Sequence, residues 1–159
     1  MTKNNPSNWF DMKTYKDHIF VVSEDPSHGM YIYDLSELDL LSRETPDMNL
    51  LGTAHYNGVG NSHNIVINEE TGFAYLVGTF TCRGGLHMVD ISTPTEPKFV
   101  GCFSKDRYVH DAQCVVYRGP DTDYVDREIC FCSNEDTVTI VDVTDKANPA
   151  CISKLSYAL

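Results

Sequence analysis

An aromatic residue or a histidine, followed directly by Asp or Asn, recurs at regularly spaced places in this chain. The pairs are Phe10-Asp11, His63-Asn64 and His110-Asp111. Histidine together with a carboxylate is a common ligand set for a divalent metal, and a histidine can also serve as a general base. No catalytic residue is identified, since the motifs of serine hydrolases, zinc proteases and P-loop enzymes are missing from the sequence. The candidate ligand-binding residues are therefore Asp11, His63, Asn64, His110 and Asp111.

A second motif recurs in phase with these pairs and indicates the architecture that positions them. An apolar run, an aspartate, an apolar residue and Ser or Thr occur at Tyr31–Ser36, His87–Ser92 and Thr139–Thr144. The copies follow one another at about 50 residues, and self-similarity at such a period is typical of repeat proteins. Each motif leads into a turn, so its aspartate (Asp34, Asp90 or Asp142) is expected to cap that turn.

Each repeat holds short β-branched and aromatic runs bounded by turn residues, which predicts strands. Four antiparallel strands in about 50 residues is the pattern of a β-propeller blade. An ordinary β-sandwich is the alternative, but its strands need not carry motifs in phase. The fold class is predicted as all-β, an incomplete propeller of antiparallel four-stranded blades. Its predicted parts are a disordered N-terminal segment at 1–8 and a propeller segment at 9–159 with about three blades, at roughly 9–56, 57–104 and 105–156.

In a propeller the first strand of each blade lines the central channel. The candidate residues would then lie around one channel mouth, where they could bind a ligand or a divalent cation such as calcium. Alternatively, Asp11, Asn64 and Asp111 bond backbone amides of the neighbouring blade and fix its orientation. His18, His55 and His87 are expected to be surface or strand-face residues, and Trp9 is expected to pack between blades.

The motif strands resemble a known family. Met88–Pro94 and Thr139–Asp145 look like LVIVD repeats, and His63–Asn68, Gly84–Met88 and His110–Tyr117 are similar to choice-of-anchor B proteins. The resemblance extends from about Trp9 to Ser153. It implies a secreted or surface-anchored β-propeller of poorly defined function, usually much longer than this chain.

The charge balance limits the partners. The net charge of −11 disfavours nucleic acids and anionic membranes, and it favours cations and basic ligands. No apolar stretch approaches the ~20 residues that span a bilayer, so direct membrane insertion is not expected. Residues 1–8 show no apolar signal segment, which says little about export if the chain is a fragment.

Six cysteines indicate disulfides rather than a zinc site, because no CxxC or comparable knuckle is present. Cys114 and Cys130 occupy opposed positions across a predicted hairpin, which brings their Cβ atoms close to bonding range. Cys82 and Cys102 form the next pair. Cys132 and Cys151 are left over as reduced core residues. Buried thiols in a reducing cell are the alternative for all six.

These features support two hypotheses from different classes. The first is a non-enzymatic extracellular or cell-surface propeller segment, without a cofactor, that serves as a binding scaffold for a protein or small molecule. The second is a metal-dependent hydrolase or lactonase-like propeller with an ion at the channel mouth. Propellers usually have four to eight blades, so the chain is expected to be a fragment or to self-associate through its open blade faces.

Overall fold

The computed structural model describes residues 7–36 and 52–157. Within them, twelve strands form three antiparallel four-stranded sheets, which confirms the all-β fold class. Residues 1–6 of the N-terminal segment predicted to be disordered lie outside the described residues. No helix in the described part of the chain is long and apolar enough to cross a membrane.

Each sheet uses four strands that are consecutive in the chain. The first sheet contains β1 (Phe10–Tyr15), β2 (His18–Ser23), β3 (Met30–Asp34) and β4 (Ala54–Tyr56). The second contains β5 (Asn64–Asn68), β6 (Phe73–Val77), β7 (Leu86–Asp90) and β8 (Lys98–Phe103). The third contains β9 (Val109–Val116), β10 (Glu128–Asn134), β11 (Thr137–Asp142) and β12 (Ala150–Ser156).

Strand β4 is the element that the sequence does not reveal. It has three residues and lacks an apolar run, yet it pairs with β3 in the register Met30↔Tyr56. The recurring aspartates lie at the ends of β3, β7 and β11 and cap the turns, as the motif predicts. The Oδ1 atoms accept from the backbone N–H groups of Ser36, Ser92 and Thr144 at 2.8–2.9 Å.

The sheets pack in chain order through two apolar cores. Alternate residues of a strand point to opposite faces, so Ile65 of β5 packs towards the first sheet and Val66 packs towards the third. Strands β1, β5 and β9 lie side by side in that order, and β2 contacts β5 as β6 contacts β9. This repeated geometry is consistent with an incomplete, propeller-like arrangement of three blades.

A buried carboxylate joins the second and third sheets. Glu128, at the start of β10, is 4% exposed and accepts from Asn68 Nδ2 at 2.7 Å, Thr71 Oγ1 at 2.8 Å and Tyr75 OH at 2.6 Å. Its second oxygen accepts from Lys146 Nζ at 2.8 Å. Burial and the neighbouring carboxylate together raise the pKa of Tyr75, so the phenol stays a donor.

Two disulfides are present, and they join the two favoured pairs. Cys114 of β9 lies directly opposite Cys130 of β10 and is bonded to it. Cys82, in a 3-10 turn before β7, is bonded to Cys102 of β8. Cys132 is a buried free thiol, and its burial raises its pKa to about 12. Cys151 is also free but is exposed on the edge strand β12, so its assignment to the core was wrong.

His87 was expected to be a surface or strand-face residue, and its side chain is buried. It lies on β7, is 4% exposed, and contacts Tyr56 OH through Nε2 at 2.7 Å and Thr81 Oγ1 through Nδ1 at 2.9 Å. Burial lowers the pKa of His87 to about 4, because the apolar surroundings disfavour the charged ring.

The His87 pKa shift predicts a pH dependence of stability. The unfolded chain binds a proton near the ordinary pKa of about 6.5, whereas the folded chain binds it near 4. Stability is therefore full above pH 6.5 and falls as the pH decreases towards 4, by on the order of 2 kcal/mol. Urea unfolding at pH 7, 5.5 and 4 measures the loss. His87→Gln should be less stable at pH 7, and its stability should fall less between pH 7 and pH 4. His55→Gln, which changes an exposed histidine, should lose stability like the wild type. Equal losses in all three proteins would contradict the assignment of this pH dependence to His87.

Candidate functional site

The first strands of the three sheets line one groove. A cavity of about 400 Å³ is bounded by residues of β1, β5 and β9. Its lining is mostly polar and contains one cation, Lys13, and two carboxylates, Asp11 and Asp111. Three of the five candidate residues, Asp11, Asn64 and Asp111, thus border one space. The lining residues are Asp11, Lys13, Asn64, Val66, Ile67, Asp111, Ala112 and Gln113.

The two candidate histidines do not line this groove but contact each other next to it, since each directly precedes a lining residue, Asn64 or Asp111. His63 Nε2 lies 3.0 Å from His110 Nε2, and His63 Nδ1 lies 2.6 Å from Glu24 Oε1. When His63 Nδ1–H donates to Glu24, the neutral ring has an acceptor at Nε2, so His110 Nε2–H must donate to it. The result is a chain of carboxylate, imidazole and imidazole. His63 is 8% exposed, whereas His110 is exposed to solvent.

Trp9 completes this cluster. Its ring stacks on His63 with centroids 4.8 Å apart and an interplanar angle of 6°, and its Nε1–H donates to the His63 carbonyl at 2.7 Å. The side chain remains 44% exposed. Trp9 therefore joins the first sheet to the second, as expected of a packing residue, and also presents aromatic surface beside the histidines. We name Trp9, Glu24, His63 and His110 the mouth cluster.

The candidate Asp and Asn residues hold neighbouring sheets together. Asp11 Oδ2 accepts from the Ile65 backbone N–H at 3.0 Å, and Asn64 Nδ2 donates to the His110 carbonyl at 3.0 Å. The alternative reading, in which these side chains bond the next blade, thus agrees with the geometry at two positions, although Asn64 reaches a carbonyl and not an amide. Asp111 bonds only the adjacent Ala112 N–H, at 2.8 Å, among the described residues.

Tyr108 and Gly78 lie next to the His63 side chain of the mouth cluster. Burial raises the pKa of Tyr108, and the carboxylates of Glu24 and Glu135 add to the effect, so the phenol stays neutral. Gly78 has φ +62°, and a Cβ there would stand 2.6 Å from His63 Cβ. A side chain at this position would therefore displace the imidazole, and glycine also tolerates the left-handed backbone.

The described residues supply an incomplete set of metal ligands. No group of three or more His, Cys, Asp or Glu side chains in the described ranges is placed to hold a metal ion. His63 and His110 face each other, but Asp11 and Asp111 bond backbone N–H groups. In the loop after β2, Asp25 Oδ1 bonds the backbone N–H and hydroxyl of Ser27, as in an ordinary hairpin turn.

Two members of the mouth cluster, Trp9 and Glu24, are not predicted as site residues from the sequence. Trp9 directly precedes the Phe10-Asp11 pair, so its position in the repeat could have marked it as a site residue. Glu24 carries no comparable signal, because it follows β2 in a loop and meets His63 only through the packing of two sheets.

Comparison with known proteins identifies one repeat in the chain. The model of the LVIVD repeat family matches residues 60–104, which contain all four strands of the second sheet. No curated protein matches the chain. The second sheet thus corresponds to one LVIVD repeat, and the first and third sheets repeat its four-stranded topology.

Proposed function

We propose that this chain is a propeller segment of an extracellular or cell-surface protein, related to choice-of-anchor B proteins, that acts as a non-enzymatic binding scaffold. The blades correspond to residues 9–56, 57–104 and 105–156, and the ligand binds at the mouth cluster. The observation that carries the proposal is the polar groove between the three first strands, together with the partly exposed Trp9 that stacks on His63, the residue before the groove residue Asn64. The LVIVD match supports the scaffold role.

The charge and aromatic content of the groove favour a ligand with a cationic group. Glu24 and Asp111 lie at or near the mouth, whereas the carboxylate of Asp11 is already paired with Lys13 Nζ at 2.8 Å. The chain as a whole carries a net charge of −11. A partly exposed indole attracts a cation through its ring face, by about 0.5–1 kcal/mol at an exposed site. A guanidinium or ammonium group is therefore the best-matched ligand chemistry.

The disulfides support the extracellular assignment. Such bonds persist in oxidising compartments and are rare in the cytosol. Two bonds within one domain, Cys82–Cys102 and Cys114–Cys130, are compatible with a secreted or surface location.

Tryptophan fluorescence provides the test, because Trp9 is the one tryptophan of the chain. The probe is N-acetyl-arginine amide, and the matched neutral probe is N-acetyl-citrulline amide. We expect a saturable change with the arginine probe and at least tenfold weaker binding of citrulline. Glu24→Gln keeps an oxygen acceptor for His63 but removes the charge, so it should weaken arginine binding several-fold.

Glu96→Gln is the matched control, because Glu96 is exposed and lies outside the groove. Its affinity for the arginine probe should equal that of the wild type. Equal affinity of both probes, or no response to either at tens of millimolar, would contradict a cation-binding mouth.

A metal-dependent hydrolase or lactonase-like activity is the second candidate function. It is favoured by the facing Nε2 atoms of His63 and His110, and by Glu24 on the far nitrogen of His63, an arrangement that orients metal-binding histidines. These two imidazoles would hold the ion, and a bound ion would supply an activated water. Elemental analysis of natively purified protein separates the candidates: stoichiometric zinc, manganese or calcium that is lost in His63→Ala supports the second, and metal-free protein supports the scaffold.

A further inference from the structure

The two disulfides differ in how accessible they are from solvent. Cys114 and Cys130 are both buried between the second and third sheets. Cys102 is exposed on β8, an edge strand of the second sheet, and its bonded partner Cys82 is half-buried. Thiol–disulfide exchange requires that a thiolate reach one of the two sulfur atoms. Access therefore favours exchange at the bond between Cys82 and Cys102.

A histidine lies beside this accessible disulfide. His87 of β7 is directly opposite Cys102 in the pairing of β7 with β8, and opposed residues of an antiparallel pair are neighbours on one face of the sheet. The Nδ1 atom of His87 also lies 3.7 Å from Cys82 Sγ. The same imidazole thus adjoins both cysteines of the bond.

Hydrogen bonds around His87 determine which ring nitrogen carries the proton. The Thr79 hydroxyl donates to the Thr81 carbonyl at 2.9 Å, so the Thr81 hydroxyl must donate to Thr79 Oγ1 at 2.7 Å. Thr81 Oγ1 is then the acceptor in its contact with His87, and His87 Nδ1–H is the donor. The Tyr56 phenol donates to His87 Nε2 at 2.7 Å, and burial raises the pKa of Tyr56 to about 12, which keeps that donor protonated.

The Nδ1–H group of His87 is shared between the Thr81 hydroxyl and Cys82 Sγ. A thiolate accepts a hydrogen bond more strongly than a neutral sulfur does, because it carries a full charge. The N–H therefore stabilises negative charge that develops on Cys82. Stabilisation of the thiolate makes Cys82 the better leaving group of the two cysteines.

The backbone of the turn at Cys82 also favours opening of the bond. Cys82 has φ +50° and Arg83 has φ +55°, so two consecutive residues other than glycine are left-handed. Such conformations are unfavourable for residues that carry a Cβ. The disulfide ties this turn to β8, and its cleavage allows both residues to leave the left-handed region.

An open pocket of about 290 Å³ gives access to Cys102 but is not lined by Cys82. We propose that this pocket is a thiol–disulfide exchange site for small thiols, in which Cys102 is attacked, Cys82 is the leaving group and His87 is the catalytic hydrogen-bond donor. The pocket is lined by Tyr56, Gly58, Thr81, His87, Phe99 and Cys102.

The exchange takes place in two steps. A small thiol loses its proton to solvent, and the thiolate forms a bond to Cys102 Sγ while the bond between Cys102 and Cys82 breaks. The electron pair stays on Cys82 Sγ, which accepts the His87 hydrogen bond and then takes a proton from solvent. A second small thiol attacks the small-molecule sulfur of the mixed disulfide and releases Cys102 as a thiol. The two thiols that supply the two electrons leave as one small disulfide.

Timed incubation of the folded, oxidised chain with reduced glutathione at pH 7 tests the proposal. Iodoacetamide stops the reaction, and peptide mass spectrometry identifies the state of each cysteine. We expect a first product with glutathione on Cys102 and an alkylated thiol on Cys82. This disulfide should also react about tenfold or more faster than the buried Cys114–Cys130 bond. Glutathione on Cys82 in the first product, or equal rates for the two disulfides, would overturn the proposal.

A variant of His87 tests the role of its N–H group. His87→Phe keeps a ring but removes the donor, so it should slow exchange at Cys82–Cys102 by about tenfold. Lost stability alone would instead speed exchange at both disulfides, because local opening exposes them. His55→Phe changes an exposed histidine of β4 and is the matched control, with an expected rate equal to that of the wild type. An unchanged or faster exchange in His87→Phe, with circular dichroism showing a folded chain, would overturn the proposal.

Discussion

Replacing Glu128 by alanine should destabilise the chain by about 3–5 kcal/mol, the largest effect of any single substitution considered. The substitution leaves Lys146 without its carboxylate partner in a site where the side chain of Lys146 is only 10% exposed. It also removes the acceptor of Asn68, Thr71 and Tyr75 in the second sheet. Urea unfolding at pH 7 measures the loss.

A second variant separates the charge from the volume of this side chain. Glu128→Gln fills the same space but loses the ion pair, so it should lose a large part of the same stability. Glu70→Gln is the matched control, because Glu70 also joins the second sheet to the third, through Arg118, but both side chains are at least half exposed. Its cost should stay below about 1 kcal/mol. A Glu128→Gln variant as stable as Glu70→Gln would contradict the role of the buried pair.

Removal of the Cys114–Cys130 disulfide should cost about 3 kcal/mol, because the bond closes a loop between residues 16 positions apart. The double variant Cys114→Ala/Cys130→Ala tests this by urea unfolding of the oxidised protein. Cys151→Ala provides the control, since Cys151 is an exposed free thiol, and its unfolding should match that of the wild type.

Thiol counting provides the independent check. The oxidised wild type, unfolded without reductant, should expose two alkylatable thiols, Cys132 and Cys151. Four additional thiols should appear only after reduction. Free alkylation of Cys114 in protein from an oxidising compartment would contradict both the disulfide and the extracellular proposal.

Local patterns account for most of what could be predicted from the sequence. The apolar run and the aspartate of each third strand predict β3, β7 and β11. The turn capping is predictable as well, because each aspartate bonds a residue only two positions further along the chain. The opposition of Cys114 and Cys130 follows from the period of two residues in a hairpin. These features depend on neighbours in one sheet.

Features that depend on the packing of two sheets could not be predicted. Glu128 reads as a strand-end carboxylate, but it lies buried because Lys146, from the loop before β12, and Tyr75, from β6, converge on it. His87 is similar, since its burial depends on Tyr56 of the short strand β4. No spacing in the chain encodes these contacts. Those of Tyr75 and Tyr56 join different repeats, and Lys146 reaches Glu128 from a distant loop of the same repeat.

The central claim is that the starts of the first strands converge at the mouth cluster. Nuclear Overhauser spectroscopy tests it directly, because the one tryptophan gives a single indole N–H signal. We predict cross-peaks between the Trp9 ring and the His63 ring, and slow solvent exchange of the indole N–H that donates to the His63 carbonyl. An indole that exchanges freely and shows no contact with His63 would contradict the convergence of the sheets and the site built on it.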